Sequence, residues 1–249
     1  LFRSATPNFL HYEHVMAALR AGLHVMVEKP AFIDVRQAKE ALTYAKKHQL
    51  ILMEAMKVCY LPTTKLAKQW LTEGKIGEVI CMEANFCRRS EINLDHPIFD
   101  KQKGGGALFD VGCYALAMVR QLLGEPKQIH ADFHLCKQGV DDTVELLLSY
   151  DGSQWARVQA SFLIDQQNAA ILYGSEGTIT IPEFWKSASM ELKRYDGLKE
   201  SFSYEQSSEF TWQIEYFVDL ILGKEEMNEE NSGYLNCKWI KEVIERGYD

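Results

Sequence analysis

His24-Val25-Met26-Val27-Glu28-Lys29-Pro30 is a short apolar run that stops at a charged pair and a proline. A run of this length, entered from Gly22 and closed by Pro30, reads as a buried strand whose end the proline ring fixes. Working outward, Asn8 is placed to cap a helix over 9–21 that ends at Gly22, and Asp34 to cap another over 35–48. A second apolar run, Leu50-Ile51-Leu52-Met53, follows. Helices crossing between short apolar strands predict a parallel sheet covered on both faces. Residues 1–56 therefore read as half of a doubly wound α/β domain.

Beyond Met56 the pattern changes. A helix is expected over 64–73, then strand-like runs over 79–86, 128–135, 143–149, 155–162, 169–173, 177–181 and 190–194. Asp151-Gly152 suits a hairpin turn, and strands joined by short turns predict a large, open, mostly antiparallel sheet. One long helix interrupts over 107–123, and two more close the chain over 210–222 and 232–246. Residues 57–249 thus read as an α+β domain. An open sheet leaves a face to cover, so a homodimer or homotetramer through that face is expected.

The 249 residues are 47% hydrophobic and 25% charged, ordinary for a globular protein, with a formal net charge of −8. An acidic balance argues against nucleic acid and anionic membranes as partners, because both recruit basic surface. No run approaches the roughly 20 apolar residues of a membrane span. Six scattered cysteines without a CxxC pair suit free thiols in a reducing compartment, and a cytoplasmic location is expected.

Three places carry residues suited to chemistry. Lys29 stands at the carboxyl end of a parallel strand, where open α/β sheets bind ligands. Partial desolvation there would lower its pKa toward working pH, and it would then orient or polarise a substrate oxygen. A solvated Glu28-Lys29 pair is the plainer alternative. Ala5-Thr6-Pro7-Asn8 is the matching loop one strand earlier, leading into a helix that carries His11 and His14. The two histidines lack a carboxylate or thiol to complete a metal set, and no metal is expected. Gly104-Gly105-Gly106 precedes the long helix and suits either a phosphate nest or close backbone approach to a ligand. Asp110 and Tyr114 then share one helical face, as a proton-relaying pair or as a surface acid beside a core phenol. Tyr204, Trp212, Tyr216 and Phe217 read as core packing, and Lys101 and Lys103 as solvated loop charges.

Taken in order, Ala5-Thr6-Pro7-Asn8-x-x-His11, Glu28-Lys29-Pro30, Met53-Glu54-Ala55 and the Gly104-to-Tyr114 segment resemble the Gfo/Idh/MocA oxidoreductase family. Gly174-Ser175-Glu176-Gly177-Thr178-Ile179 and Pro182-Glu183-Phe184-Trp185 are similar to its branch of dimeric dihydrodiol dehydrogenases and NADP-dependent xylose dehydrogenases. The resemblance implies that residues 1–56 are the C-terminal half of a dinucleotide-binding Rossmann domain and residues 57–249 a substrate-binding and oligomerisation domain. It implies NAD or NADP as cofactor, NADP favoured, and a sugar, polyol or diol as the small carbohydrate-like substrate. Lys29, Tyr114 and Asp110 would be catalytic, and Thr6, Pro7, Asn8, His11, Glu28 and Lys29 would line the cofactor. A non-catalytic nucleotide- or sugar-binding regulator is the alternative, which the joint presence of Lys29 and Tyr114 disfavours. Two departures stand out. The family's Gly-rich first turn is absent and Phe2-Arg3-Ser4 lacks an apolar run, so about 70 or more residues are expected to precede this sequence. Lys57-Val58-Cys59-Tyr60 stands where the branch carries an aromatic and an arginine near the substrate, which changes charge and bulk there.

Overall fold

Both sheets form. The computed structural model describes residues 2–4, 6–90, 95–227 and 229–247, so Ala5 of the first loop lies outside them. Strands β1 (Phe2–Ser4), β2 (Val25–Glu28) and β3 (Leu52–Ala55) make a parallel sheet in the order β1-β2-β3. Helices α1 (His11–Arg20) and α2 (Val35–Lys47) are the crossovers. Asp34 caps α2 as expected, its carboxylate accepting from the amides of Arg36 at 2.7 Å and Gln37 at 3.1 Å.

Asn8 does not cap α1 with its side chain; Asn8–Leu10 instead winds into a 3-10 turn held by the Leu10 amide on Pro7 O. The short β1 forms without an apolar run because pairing supplies what burial does not. Phe2 N donates to His24 O, and Phe2 registers with Val25. Strand β3 starts two residues later than its apolar run. Leu50 and Ile51 are spent on the entry, where Ile51 N donates to His24 Nδ1 and Ile51 O accepts from Val25 N.

Helix α3 (Pro62–Thr72) opens on Pro62, whose missing N–H costs nothing in the first turn. The second sheet has eight strands: β4 (Val79–Cys87), β5 (Gln128–Leu135), β6 (Asp141–Ser149), β7 (Trp155–Ser161), β8 (Ala169–Gly174), β9 (Gly177–Pro182), β10 (Ser189–Arg194) and β11 (Lys199–Ser203). Their order is β11-β10-β9-β8-β4-β7-β6-β5, antiparallel except for the parallel β4–β7 pair. The edge strand β11 escapes the sequence reading because Lys199-Glu200-Ser201 is polar.

The long helix lies under this sheet. It begins as a π turn, Leu108–Gly112, and continues as α4 (Cys113–Leu123). Leu116, Met118 and Val119 share one core with Met82, Val144, Leu146 and Val158 of the sheet. The segment Lys101–Leu123 has the length and hydropathy of a membrane span, but most of it is buried inside the protein, so its apolarity is spent on that core. Helices α5 (Thr211–Ile221) and α6 (Tyr234–Gly247) return to the first sheet. Phe217 and Leu220 pack with Met26 and Met53, while Cys237 joins the core of Val25 and Val27. Trp239, Ile240 and Val243 enter the core of the large sheet, so α6 ties the two sheets together.

Candidate active site

Lys29 follows the last residue of β2, and its side chain, 15% exposed, crosses to the π turn. Its Nζ donates to Asp110 O at 2.5 Å and to Asp110 Oδ1 at 3.0 Å. The same ammonium lies 4.7 Å from the centroid of the Tyr114 ring. A π turn shifts backbone pairing from four residues to five, and such turns recur at functional sites. Here it sets both the carbonyl and the carboxylate of Asp110 toward the ammonium, ahead of Tyr114 on α4. The sheet end and the helix start, 81 residues apart, thereby meet at one point.

The electrostatics correct one expectation. Burial works to lower the Lys29 pKa, but the Asp110 carboxylate and its hydrogen bond hold the ammonium, and the pKa stands above its ordinary value. Lys29 is therefore a fixed cation, not an amine poised near neutrality. Burial raises the Tyr114 phenol, and the Lys29 charge opposes that rise without cancelling it. Burial also pushes the neighbouring Cys113 thiol up to about 12, so it stays neutral, its Sγ 3.4 Å from Asp110 O.

The loop after β1 holds the other expected residues. His11 is fully buried, with Nδ1 3.1 Å from Pro30 O and Nε2 2.8 Å from Thr6 O. Burial lowers its pKa against the pull of those carbonyls. His11 thus sits between the two loops from behind, its single N–H when neutral donating to one of the two carbonyls, and presents no nitrogen to the crevice. His14 is taken by Thr6 Oγ1 at 3.1 Å, and among the described residues no group of three or more His, Cys, Asp or Glu side chains could hold a metal ion. Pro7, Asn8 and Phe9 face His96, Pro97 and Asp110 across a cleft of about 330 Å³. Glu28 sits at its strand end in an ion pair with Arg3 at 2.6 Å.

The glycine run makes its close approach to the protein itself. A side chain at Gly104 would overlap Ile33, one at Gly105 the Ile98 carbonyl, and one at Gly106 the Asp141 carboxylate. The three amides donate to Lys101 O, Asp100 O and Ile98 O, so none is left to cradle a phosphate. Buried Asp141 instead caps the helix start, accepting from Leu108 N at 2.6 Å. Lys103 pairs with Asp100 at 2.8 Å.

Two groups were not read as site residues. Glu54 is fully buried in β3 and accepts from Ala31 N at 2.9 Å and from Asn236 Nδ2, so it anchors the loop after Pro30 to α6. Burial raises its pKa despite those donors. Lys57, in the 3-10 turn Lys57–Cys59 after β3, is 7% exposed and places Nζ 5.8 Å from the Tyr114 centroid. The Met53-Glu54-Ala55 motif and the departure at Lys57 were the available signals for both.

Residues 5–56 match the family described as an oxidoreductase family with an NAD-binding Rossmann fold, and residues 64–180 match the GFO/IDH/MocA C-terminal domain. The chain is 31% identical over 237 residues to scyllo-inositol 2-dehydrogenase (NADP(+)) IolU of Bacillus subtilis (strain 168), covering 92% of this chain and 71% of that one. It is 30% identical over 184 residues to trans-1,2-dihydrobenzene-1,2-diol dehydrogenase of Xenopus laevis, covering 73% of this chain and 55% of that one. Its fold is similar to KijD10, a 3-ketoreductase from Actinomadura kijaniata solved with NADP and TDP-benzene, with a TM-score of 0.86, 25% identity, and coverage of 98% of this chain and 77% of that one. With both domains matched in order and the fold shared, the chain belongs to the GFO/IDH/MocA family of NAD(P)-dependent oxidoreductases.

Proposed function

We propose that the protein transfers a hydride between NAD(P) and a CH–OH group of a sugar, polyol or diol, with Lys29, Tyr114 and Asp110 as the proton-handling residues. The observation that carries this reading is the convergence of Lys29 with Asp110 and Tyr114 from two separate sheets' elements. The cleft beside Asn8 and the carboxyl ends of β1 and β2 suit a nicotinamide and its ribose, with Thr6, Pro7, Asn8, Glu28 and Lys29 toward that side. His11 serves there as a brace rather than a contact. When bound, the cofactor supplies the hydride chemistry.

The chain's own residues supply position and a proton. The raised phenol of Tyr114 is protonated at neutral pH, so it is built to donate a proton to a carbonyl oxygen. In the oxidative direction it must first lose that proton, and the Lys29 cation assists by favouring phenolate. Asp110 holds Lys29 in place through two acceptors. A small carbohydrate-like molecule is the expected partner. The face of the large sheet away from α4 carries Leu147 beside Glu145, Arg157 and Gln159, and assembly of copies through it remains part of this reading. Equilibrium sedimentation of a dimer or tetramer is expected. A cytoplasmic site fits the six free thiols.

The test is a panel of aldoses, polyols and diols offered with NAD and NADP, read by nicotinamide absorbance on the full-length protein. Turnover with at least one is expected; none with any substrate, in either direction, would leave a binding regulator as the better reading.

A further inference from the structure

A second ammonium faces Tyr114 from the next strand. β2 ends at Lys29 and β3 leads into Lys57, and the two Nζ atoms lie 4.7 and 5.8 Å from the same ring centroid. Their partners differ. Lys29 is held by Asp110, whereas Lys57 donates to Glu209 Oε1 at 3.1 Å and lies 4.6 Å from the Phe210 centroid. The Lys57 side chain is 8% exposed and that of Glu209 is 31% exposed. Lys57 is therefore largely covered and Glu209 is the more open partner.

Charge around the ring is balanced. Asp110 answers Lys29, Glu209 answers Lys57, and the nearby Lys186 is answered by Glu183 at 3.0 Å. Each of these three lysines already has a carboxylate partner, so an anionic substrate would have to compete with Asp110, Glu209 or Glu183 for a cation after losing its own hydration. A neutral polyol loses less, and adjacent hydroxyls can accept from an ammonium and donate to a carboxylate.

We infer that the Lys57–Glu209 pair is a specificity-determining element of this site, selecting uncharged polyhydroxylated substrates over sugar acids and sugar phosphates. Lys57 donates to one substrate oxygen, and Glu209 both accepts from its neighbour and cancels the Lys57 charge. The inference rests on the dehydrogenase reading for its kinetics but has a binding arm of its own.

The test compares D-glucose with D-glucuronate, which share a ring and differ by one carboxylate, on the full-length protein with NADP. Wild type should prefer glucose in kcat/KM by about tenfold or more, the scale expected when a polar site meets a mismatched group. Glu209→Gln frees the Lys57 charge and should shift that ratio toward glucuronate by about tenfold. Lys57→Met should raise KM for glucose about tenfold, a larger effect than its fall in kcat, and Lys57→Arg should restore most of the loss. Calorimetric titration of both sugars into wild type and Glu209→Gln reads the same preference without turnover. A wild-type preference for glucuronate, an unchanged ratio in Glu209→Gln, or no measurable binding or turnover of glucose would overturn the inference. Binding that shifts as described, with no turnover of any substrate, would refute the dehydrogenase reading and leave the pair's role standing.

Discussion

The two ammoniums that approach Tyr114 are built alike and partnered differently. Lys29 is delivered by a strand end, fixed by Pro30, and held by a carbonyl and a carboxylate of a single residue, Asp110. Lys57, for its part, is delivered by the neighbouring strand and held by Glu209, a residue 152 positions away on the segment before α5. Both ammoniums are largely buried and both face one ring. The Lys29 side has an acceptor at the turn that also carries the phenol, so it is suited to proton transfer. The Lys57 side has a partner that reaches solvent, so it is suited to reading what arrives. Position within the sheet is shared; the partner decides the task.

The largest expected effects are on the Lys29 side. Tyr114→Phe and Lys29→Met should each lower kcat at least about a hundredfold, the low end for loss of general acid–base help. Retained turnover in both would erase the difference between the two walls. The next effect is on the support behind Lys29. Glu54→Ala removes the acceptor of Ala31 N and of Asn236, and leaving buried donors unpaired should cost about 2 kcal/mol in denaturant unfolding. A pH effect belongs to the same residue. The folded protein holds the Glu54 proton more tightly than the unfolded chain, so its contribution is fullest below the ordinary glutamate range and is lost as pH rises through the raised value. Glu54→Gln should flatten that slope; an unchanged slope would place it elsewhere. The smallest effect is remote from both walls. Asp34→Ala, losing the two cap bonds of α2, should cost about 1 kcal/mol with kcat unaltered.

The Lys29 side was legible in the sequence because each of its parts is local. An apolar run stopped by Pro30 marks a strand end, and three glycines before an apolar helix mark its start, so Lys29, Asp110 and Tyr114 could be named before their meeting was seen. The π turn was not legible, since Leu108–Gly112 has the pattern of any helix. Nor was the work of the glycines, because what they avoid, Ile33, Ile98 and Asp141, lies outside their own segment. Glu54 was hidden by its charge, as a glutamate after Leu52-Met53 reads like a strand end and not like a buried acceptor. Lys57 failed for the same long-range reason: nothing near it in sequence announces Glu209. His11 was recognised as important, but its two carbonyl partners, Thr6 O and Pro30 O, turn it from the crevice. Backbone acceptors leave no trace in a sequence.

Raised phenol and fixed ammonium together make the central claim one about direction of proton flow. The most direct measurement is kcat for alcohol oxidation as a function of pH, in wild type and Tyr114→Phe, with the same substrate and NADP. Because burial holds the phenol above its ordinary value, wild-type kcat should climb with pH and still be rising at about pH 10. Tyr114→Phe should be at least about a hundredfold slower and flat across the same range. A Tyr114→Phe profile that keeps both the slope and the turnover of wild type would contradict the account.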